Sequence, residues 1–435
     1  MARYQTRGLS DSTQPSGISS KNREGFLDAL RRLKNVPKRG IGDLAGQVGV
    51  REVIETFRRD RQWITEQHLE LCRIPAPTFF EAKRAEWMLT RLRSLGCDAK
   101  IDRAGNVIAF PGTPTTGPYV AVTAHLDTVL APRRPEEIYL EADGRLHGPG
   151  VADNGSGLVA LLAIARALQK SPPLENTTAS LMLVANVGEE GEGNLSGMKY
   201  LCRQSPLGSK IRSFLVLDGP SVGHITSQAL ASRRFEITFQ GTGGHSWSDF
   251  GLGNPVHALC RTVHLFTSHL AAKTSLARTS HNFGIIEGGI SVNSIPSSSL
   301  AKLDLRAETQ VALDEMTNLL TECVERARDV ENESATQKVS AKIRDMGQRP
   351  GGQLPESAPL VTYLRDIDAH LGIRSRIECA STDANIPLSM GLPAVSIGTG
   401  GMGGGAHTPA EWYHPEGRDL GLKRVFLALA LLLSE

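Results

Sequence analysis

The sequence predicts an α/β protein, a sheet covered by helices on both faces and interrupted by a β-α-β-β-α-β insertion. Two patterns predict it. Apolar runs at 119–124, 179–187 and 214–217 alternate with helical segments, as strands buried on both faces do. Further on, 233–240 alternates with Phe235, Ile237 and Phe239 on one face, the pattern of a half-exposed strand. The helix expected at 255–270, the strands at 282–287 and 299–306, the helix at 313–330 and the strand at 338–344 complete a ferredoxin-like order.

Taken from the start, residues 1–22 are polar and lack an apolar core, which suits a frayed terminus without a signal peptide. Residues 23–70 read as helical, with Phe26, Leu27, Leu30 and Leu33 on one face and Val53, Ile54, Phe57 and Ile64 on another. Pro75 and Pro77 break the chain before a helix at 81–95. A hairpin at 99–102 and 107–110 turns at Gly105-Asn106 and precedes the first buried strand. After 151–157 comes an apolar helix to Leu168, and after the second buried strand a helix near 197–203. Beyond the insertion, a helix at 360–371, strands at 375–378 and 394–397 and a last apolar helix return to the first sheet. The expected organisation is an N-terminal extension (1–60), a main domain (61–225 with 346–435) and an inserted domain (226–345).

Composition removes several function classes. Forty-eight basic against 46 acidic residues give +2, so nothing argues for nucleic acid or an anionic membrane as partner. The apolar run 425–433 is far shorter than the ~20 residues that span a bilayer. Cys72, Cys97, Cys202, Cys260, Cys323 and Cys379 stand singly, without a Cys-x-x-Cys pair, as free thiols of a reducing compartment do; a cytoplasmic location is expected.

Chemistry collects at the strand ends. His125 and Asp127 end the first buried strand on one face, because side chains alternate along a strand. Asp153, the pair Glu189-Glu190, Asp218 and His407 follow in comparable positions, where open α/β sheets bind ligands. Each alone is as well explained as a helix cap or a solvated face. Together they supply the imidazole nitrogens and carboxylate oxygens that two zinc ions require, with one carboxylate free to bridge. Of two adjacent glutamates, one can bind metal while the other takes a proton from water.

The chain resembles the dizinc exopeptidase and amidohydrolase family of carboxypeptidase G, peptidase T, carnosine dipeptidases, acetylornithine deacetylase and succinyl-diaminopimelate desuccinylase. The resemblance rests on His125-Leu-Asp127, the segment 148–157, Glu189-Glu190-Gly, Asp218, Gly243-Gly-His245-Ser, Asn293-Ser-Ile-Pro, Asp304-Leu-Arg306 and His407-Thr-Pro-Ala-Glu411-Trp, in the family's order over about residues 60–435. It implies a zinc-peptidase-like three-layer catalytic domain with the insertion as a lid that dimerises. It further implies that His125 and Asp218 hold one zinc, Glu190 and His407 the other, and Asp153 both, with cobalt or manganese as substitutes. Asp127 would orient His125 and Glu189 would be the general base of a metal-bridging hydroxide. His245 would stabilise the oxyanion, donated across a homodimer, and Arg306 and Asn293 would bind substrate. A cis Asp153–Asn154 peptide is implied as well.

The expected function is therefore zinc-dependent cleavage of amide bonds in short peptides, as an exo-, di- or tripeptidase. Deacylation of N-acyl amino acids is the alternative within the same chemistry, and a non-catalytic binding protein the alternative outside it. Retention of Glu189 speaks against the latter, since a general base serves chemistry rather than metal holding.

Overall fold

The computed structural model describes residues 40–112, 116–171, 174, 177–272 and 277–435. The expected helix carrying Phe26 and Leu33 lies outside them.

The centre is a nine-stranded mixed sheet. Its strands run Cys97–Ile101, Val107–Pro111, Ser180–Asn186, Tyr119–His125, Ile211–Leu217, Ala394–Ile397, His224–Ala229 and Gly352–Gln353, with Arg376–Ala380 also paired to His224–Ala229. Ser180–Asn186, Tyr119–His125, Ile211–Leu217 and Ala394–Ile397 are mutually parallel, so their carboxyl ends line up at one edge. Tyr119–His125 is buried at every position, which is why its sequence is a continuous apolar run rather than an alternation. The helix Gly155–Lys170 packs on it and is buried around most of its circumference.

The expected N-terminal extension does not stand apart from residue 40 onward. Helices Ile41–Gly46, Val48–Arg59 and Arg61–Cys72 replace the single helical stretch, and Leu44, Val50, Val53 and Phe57 are buried in the main core. Phe57 meets Phe426 of the C-terminal helix edge to face at 6.1 Å. That helix, Arg418–Ser434, carries the fully buried Arg424, whose Nε and Nη2 donate to the two carboxylate oxygens of Asp368 at 2.6 and 2.8 Å. Breaking a buried pair strands one charge, so Arg424→Met is expected to cost about 3–5 kcal/mol in denaturant unfolding. The double replacement with an apolar residue at 368 should recover most of it.

A second core lies in the inserted segment. The strands Thr279–Gly288, Ser298–Ala307, Ala231–Gln240 and Ser340–Arg349 pair antiparallel in that order, with helices Pro255–Ala272 and Gln310–Glu333 packed against the sheet. This is the ferredoxin-like arrangement expected. Phe235, Ile237 and Phe239 point into the core against Leu313, Met316 and Leu320, as their alternation requires. The four-stranded sheet takes residues 231–349, a few residues later than expected at each end, because His224–Ala229 pairs in the large sheet. The glycine-rich stretch 398–405 carries a strand of its own. Met402–Gly404 is a short strand on Trp412–His414, which pairs in turn with Leu146–His147. No described helix is long and apolar enough to cross a membrane.

Candidate metal centre

Five predicted side chains converge at the aligned strand ends. His125 closes its strand, and its Nδ1 donates to the Asp127 carbonyl at 3.0 Å, with the Asp127 carboxylate at 3.5 Å. That contact assigns the proton to Nδ1 and leaves Nε2 as the ligand nitrogen. Nε2 lies 3.1 Å from Asp153 Oδ1 and 3.9 Å from Asp218 Oδ1. The other oxygen of Asp153 faces His407 Nε2 at 3.2 Å, and His407 Nε2 reaches Glu190 Oε1 at 2.9 Å. Asp153 thus stands between two imidazoles, one on each oxygen. Its peptide bond to Asn154 is cis.

Local sequence explains how these groups are presented. Asn154 caps the helix Gly155–Lys170 by accepting the Gly157 N–H, accepts the Gly219 N–H beside Asp218, and donates to Leu217 O at 2.8 Å. One side chain therefore ties the Asp153 turn to the Asp218 turn. Asp127 does more than orient His125: its carboxylate accepts the N–H groups of Glu189 and Glu190 at 3.0 and 2.9 Å and the Thr78 hydroxyl at 3.0 Å.

Glu189, His125, Asp153, Glu190, Asp218, Arg306 and His407 line one cavity of about 330 Å³. His245 and Asn293 do not line it; both are exposed on the inserted segment, where Gly244–His245 pairs with Ser294–Ile295. Arg306 donates from Nε to Asp304 at 2.8 Å, and Asp304 also accepts from Arg234, a second cavity residue.

Two neighbours were not assigned a role from sequence. Arg349, at the end of the last insertion strand, donates from Nη1 to Glu189 Oε1 at 2.9 Å and to Ser381 Oγ at 3.0 Å. Residues 160 positions apart leave no local pattern that could pair them. Glu411 is 2 % exposed and accepts the N–H groups of Gly150, Ala152 and Asp153 at 2.7–2.9 Å, so it fixes the turn that presents Asp153. Its position four residues after His407 was a usable signal, since an acid beside a ligand often supports the shell. Glu411→Ala strands three buried donors and is expected to lower unfolding free energy by about 3 kcal/mol or more, checked by denaturant titration.

The electrostatics are those of crowded acids. Burial, reinforced by Glu189, pushes Glu190 up to about 7. Burial raises Glu189 too, against the opposing pull of Arg349, and lifts Asp218 well above the carboxylate range. The hydrogen bond to Asp153 leads in pushing His407 up to about 9. Burial opposes a charged His125, but Asp127 and Asp153 hold its pKa well above normal. Burial also raises Asp153, yet the two imidazoles overcome it and keep it low. Such a set gathers protons where a cation would relieve the repulsion. The donors fit metal ions: ligand atoms of His125, Asp153 and Glu190 lie within 4.8 Å of one another. Hard oxygens with imidazole nitrogens and no thiolate suit catalytic rather than structural coordination.

Residues 121–430 match the family described as peptidase family M20/M25/M40. The chain belongs to this peptidase family. The chain is 28 % identical over 239 residues to a protein named LysW-lysine/LysW-ornithine hydrolase from Pyrobaculum aerophilum, covering 54 % of this chain and 64 % of the relative. The matched stretch is thus under two thirds of that relative's length. It is 25 % identical over 334 residues to a Mycobacterium tuberculosis protein named succinyl-diaminopimelate desuccinylase, covering 75 % and 87 %. In fold it is similar to aminopeptidase PepT of Bacillus cereus, with a TM-score of 0.67 at 19 % identity over 85 % of this chain and 98 % of that one. The large mixed sheet with smaller sheets beside it matches the fold of that peptidase neighbour.

Proposed function

We propose that this M20 member is a dizinc hydrolase that cleaves the amide bond of short peptides from one end. One observation carries the reading: Asp153 offers one oxygen to His125 and the other to His407, with Glu189 in the same cavity. His125 and Asp218 would hold one zinc, Glu190 and His407 the second, and Asp153 both; cobalt or manganese could substitute. Zinc supplies Lewis acidity for the substrate carbonyl and lowers the pKa of bound water toward about 7. The protein supplies the rest. Glu189 takes the water proton at its carboxylate and returns it to the leaving amine. Arg306, on the cavity wall, binds the substrate carboxylate through its planar fork. Arg349 holds Glu189 in place between turnovers.

His245 and Asn293 enter through a second copy. The edge strand Thr279–Gly288 is exposed along nearly its whole length. On the same inserted segment, Trp247 is 84 %, Phe250 88 % and Ile290 93 % exposed. These features support a homodimer built on the insertion, in which His245 serves the partner's oxyanion. Trp247→Glu with Ile286→Lys is expected to give monomers by sedimentation and to lower kcat. Monomers with full activity would remove the shared site. The six unpaired cysteines support a cytoplasmic location.

The N-acyl amino acid deacylase reading keeps the same chemistry and is favoured by the three guanidinium groups, Arg234, Arg306 and Arg349, on one cavity. Hydrolysis of a panel of di- and tripeptides beside N-acetyl and N-succinyl amino acids separates the two. Cleavage of free-amine peptides is expected; turnover confined to the N-acyl compounds moves the protein to the deacylases.

A further inference from the structure

The segment from Ile74 to Arg84 touches the metal centre from outside the family match, which starts at residue 121. Its contacts fall on two separate stretches of chain. On the His125 side, the Thr128 N–H donates to Ala76 O at 3.0 Å and Arg84 Nη1 donates to Leu126 O at 2.8 Å. On the Glu189 side, the Gly188 N–H donates to Glu81 Oε1 at 3.1 Å. Leu126 sits between the ligand His125 and Asp127, and Gly188 directly precedes the base Glu189. Glu81 and Arg84 lie at the start of one helix, Ala82–Ser94, so a single rigid element grips both loops.

Neither residue is explained by packing. Arg84 is fully buried, and its Nε and Nη2 donate to Ile74 O at 3.1 and 2.7 Å. Desolvating a guanidinium costs several kcal/mol, and an apolar side chain of similar volume would serve a core as well or better. Glu81 is 6 % exposed and accepts from the backbone of a glycine. Gly188 has φ +66°, and a Cβ there would stand 2.2 Å from Ser196 Oγ. The position thus requires glycine; its N–H donates to Glu81, and its carbonyl accepts the Ser196 N–H at 3.2 Å.

We propose that Glu81 and Arg84 are positioning residues of the metal centre, setting the spacing between the loop of His125 and the loop of Glu189-Glu190 through Leu126 O and the Gly188 N–H. The proposal rests on the metal reading above. Such outer contacts are worth roughly 10–100-fold in metal affinity.

The test compares Glu81→Leu, Glu81→Gln, Arg84→Met and Arg84→Lys in the full-length protein. Zinc affinity is measured by competition with a chromophoric chelator, beside thermal unfolding of the metal-free protein and kcat and KM. Glu81→Gln keeps an acceptor for the Gly188 N–H and should bind zinc close to wild type. Glu81→Leu should bind it roughly 10–100-fold more weakly, with kcat lowered and KM little changed. Arg84→Met should follow Glu81→Leu, and Arg84→Lys should recover part of the loss. Glu81→Leu with wild-type zinc affinity overturns the proposal, whatever its melting temperature, and that comparison stands even where Arg84→Met fails to fold. Wild-type protein that takes up no zinc overturns the metal reading and the positioning role with it; zinc uptake unaffected by Glu81→Leu overturns the positioning role alone.

Discussion

Glu189→Gln is expected to keep its metal and lose roughly 10²–10⁴-fold in kcat, the usual contribution of a positioned general base. The substitution isolates the proton-accepting function. Glutamine has the same shape, its backbone N–H still reaches Asp127, and its Oε1 still accepts from Arg349. Glu189 also sits beside the ligands rather than between the imidazoles, which face Asp153 and Glu190 instead. Metal content should therefore stay at the wild-type level by atomic absorption while kcat falls. Glu190→Gln should do the reverse first, losing metal because its oxygen is 2.9 Å from His407 Nε2. A Glu189→Gln enzyme with undiminished kcat would falsify the assignment of the base.

Metal removal should abolish turnover and should also reverse how stability responds to pH. In the metal-free chain Glu190 titrates near 7 rather than 4.5, and His407 near 9 rather than 6.5. Asp218 and His125 are shifted upward as well. Each group keeps its proton to a higher pH folded than unfolded. The folded state then binds more protons, so stability falls as pH rises. For His407 the stabilisation is complete below pH 6.5 and lost as pH passes about 9; for Glu190 stability declines from 4.5 to about 7. Bound metal works in the opposite sense, because it needs these ligands deprotonated and displaces their protons. Calorimetry from pH 5 to 9 should show the melting temperature of chelated protein falling and the gap to zinc-loaded protein widening. Parallel curves for the two forms would contradict a metal held by these residues.

Much of this was legible in the residues because the pattern is local. Tyr119–His125 and Ser180–Asn186 are buried on both faces and so read as unbroken apolar runs, while Ala231–Gln240 is buried on one face and alternates. The strand His224–Ala229 was not legible. His-Ile-Thr-Ser-Gln-Ala is polar, and it pairs because Arg376–Ala380 and Ala394–Ile397 flank it, not because of its own composition. The two- and three-residue strands of the sheet that includes Trp412–His414 are too short to carry a period. At the site, the ligands follow strand ends and could be collected by position. The groups that hold them come from distant chain. Arg349 meets Glu189, Glu411 meets the Asp153 turn, and Asp127 meets the Glu189 and Glu190 amides rather than His125 alone. The segment 40–60 was misread for the same reason, since its amphipathic helix shows a buried face but not which core it joins.

The most direct measurement is a zinc titration of chelator-stripped protein, following hydrolysis of a short peptide or N-acyl amino acid that the native enzyme cleaves. Activity absent from the stripped protein and restored as zinc rises to two equivalents is the expected result. Hydrolysis that persists after stripping, unchanged by added zinc, would contradict the metal centre built from His125, Asp153, Glu190, Asp218 and His407.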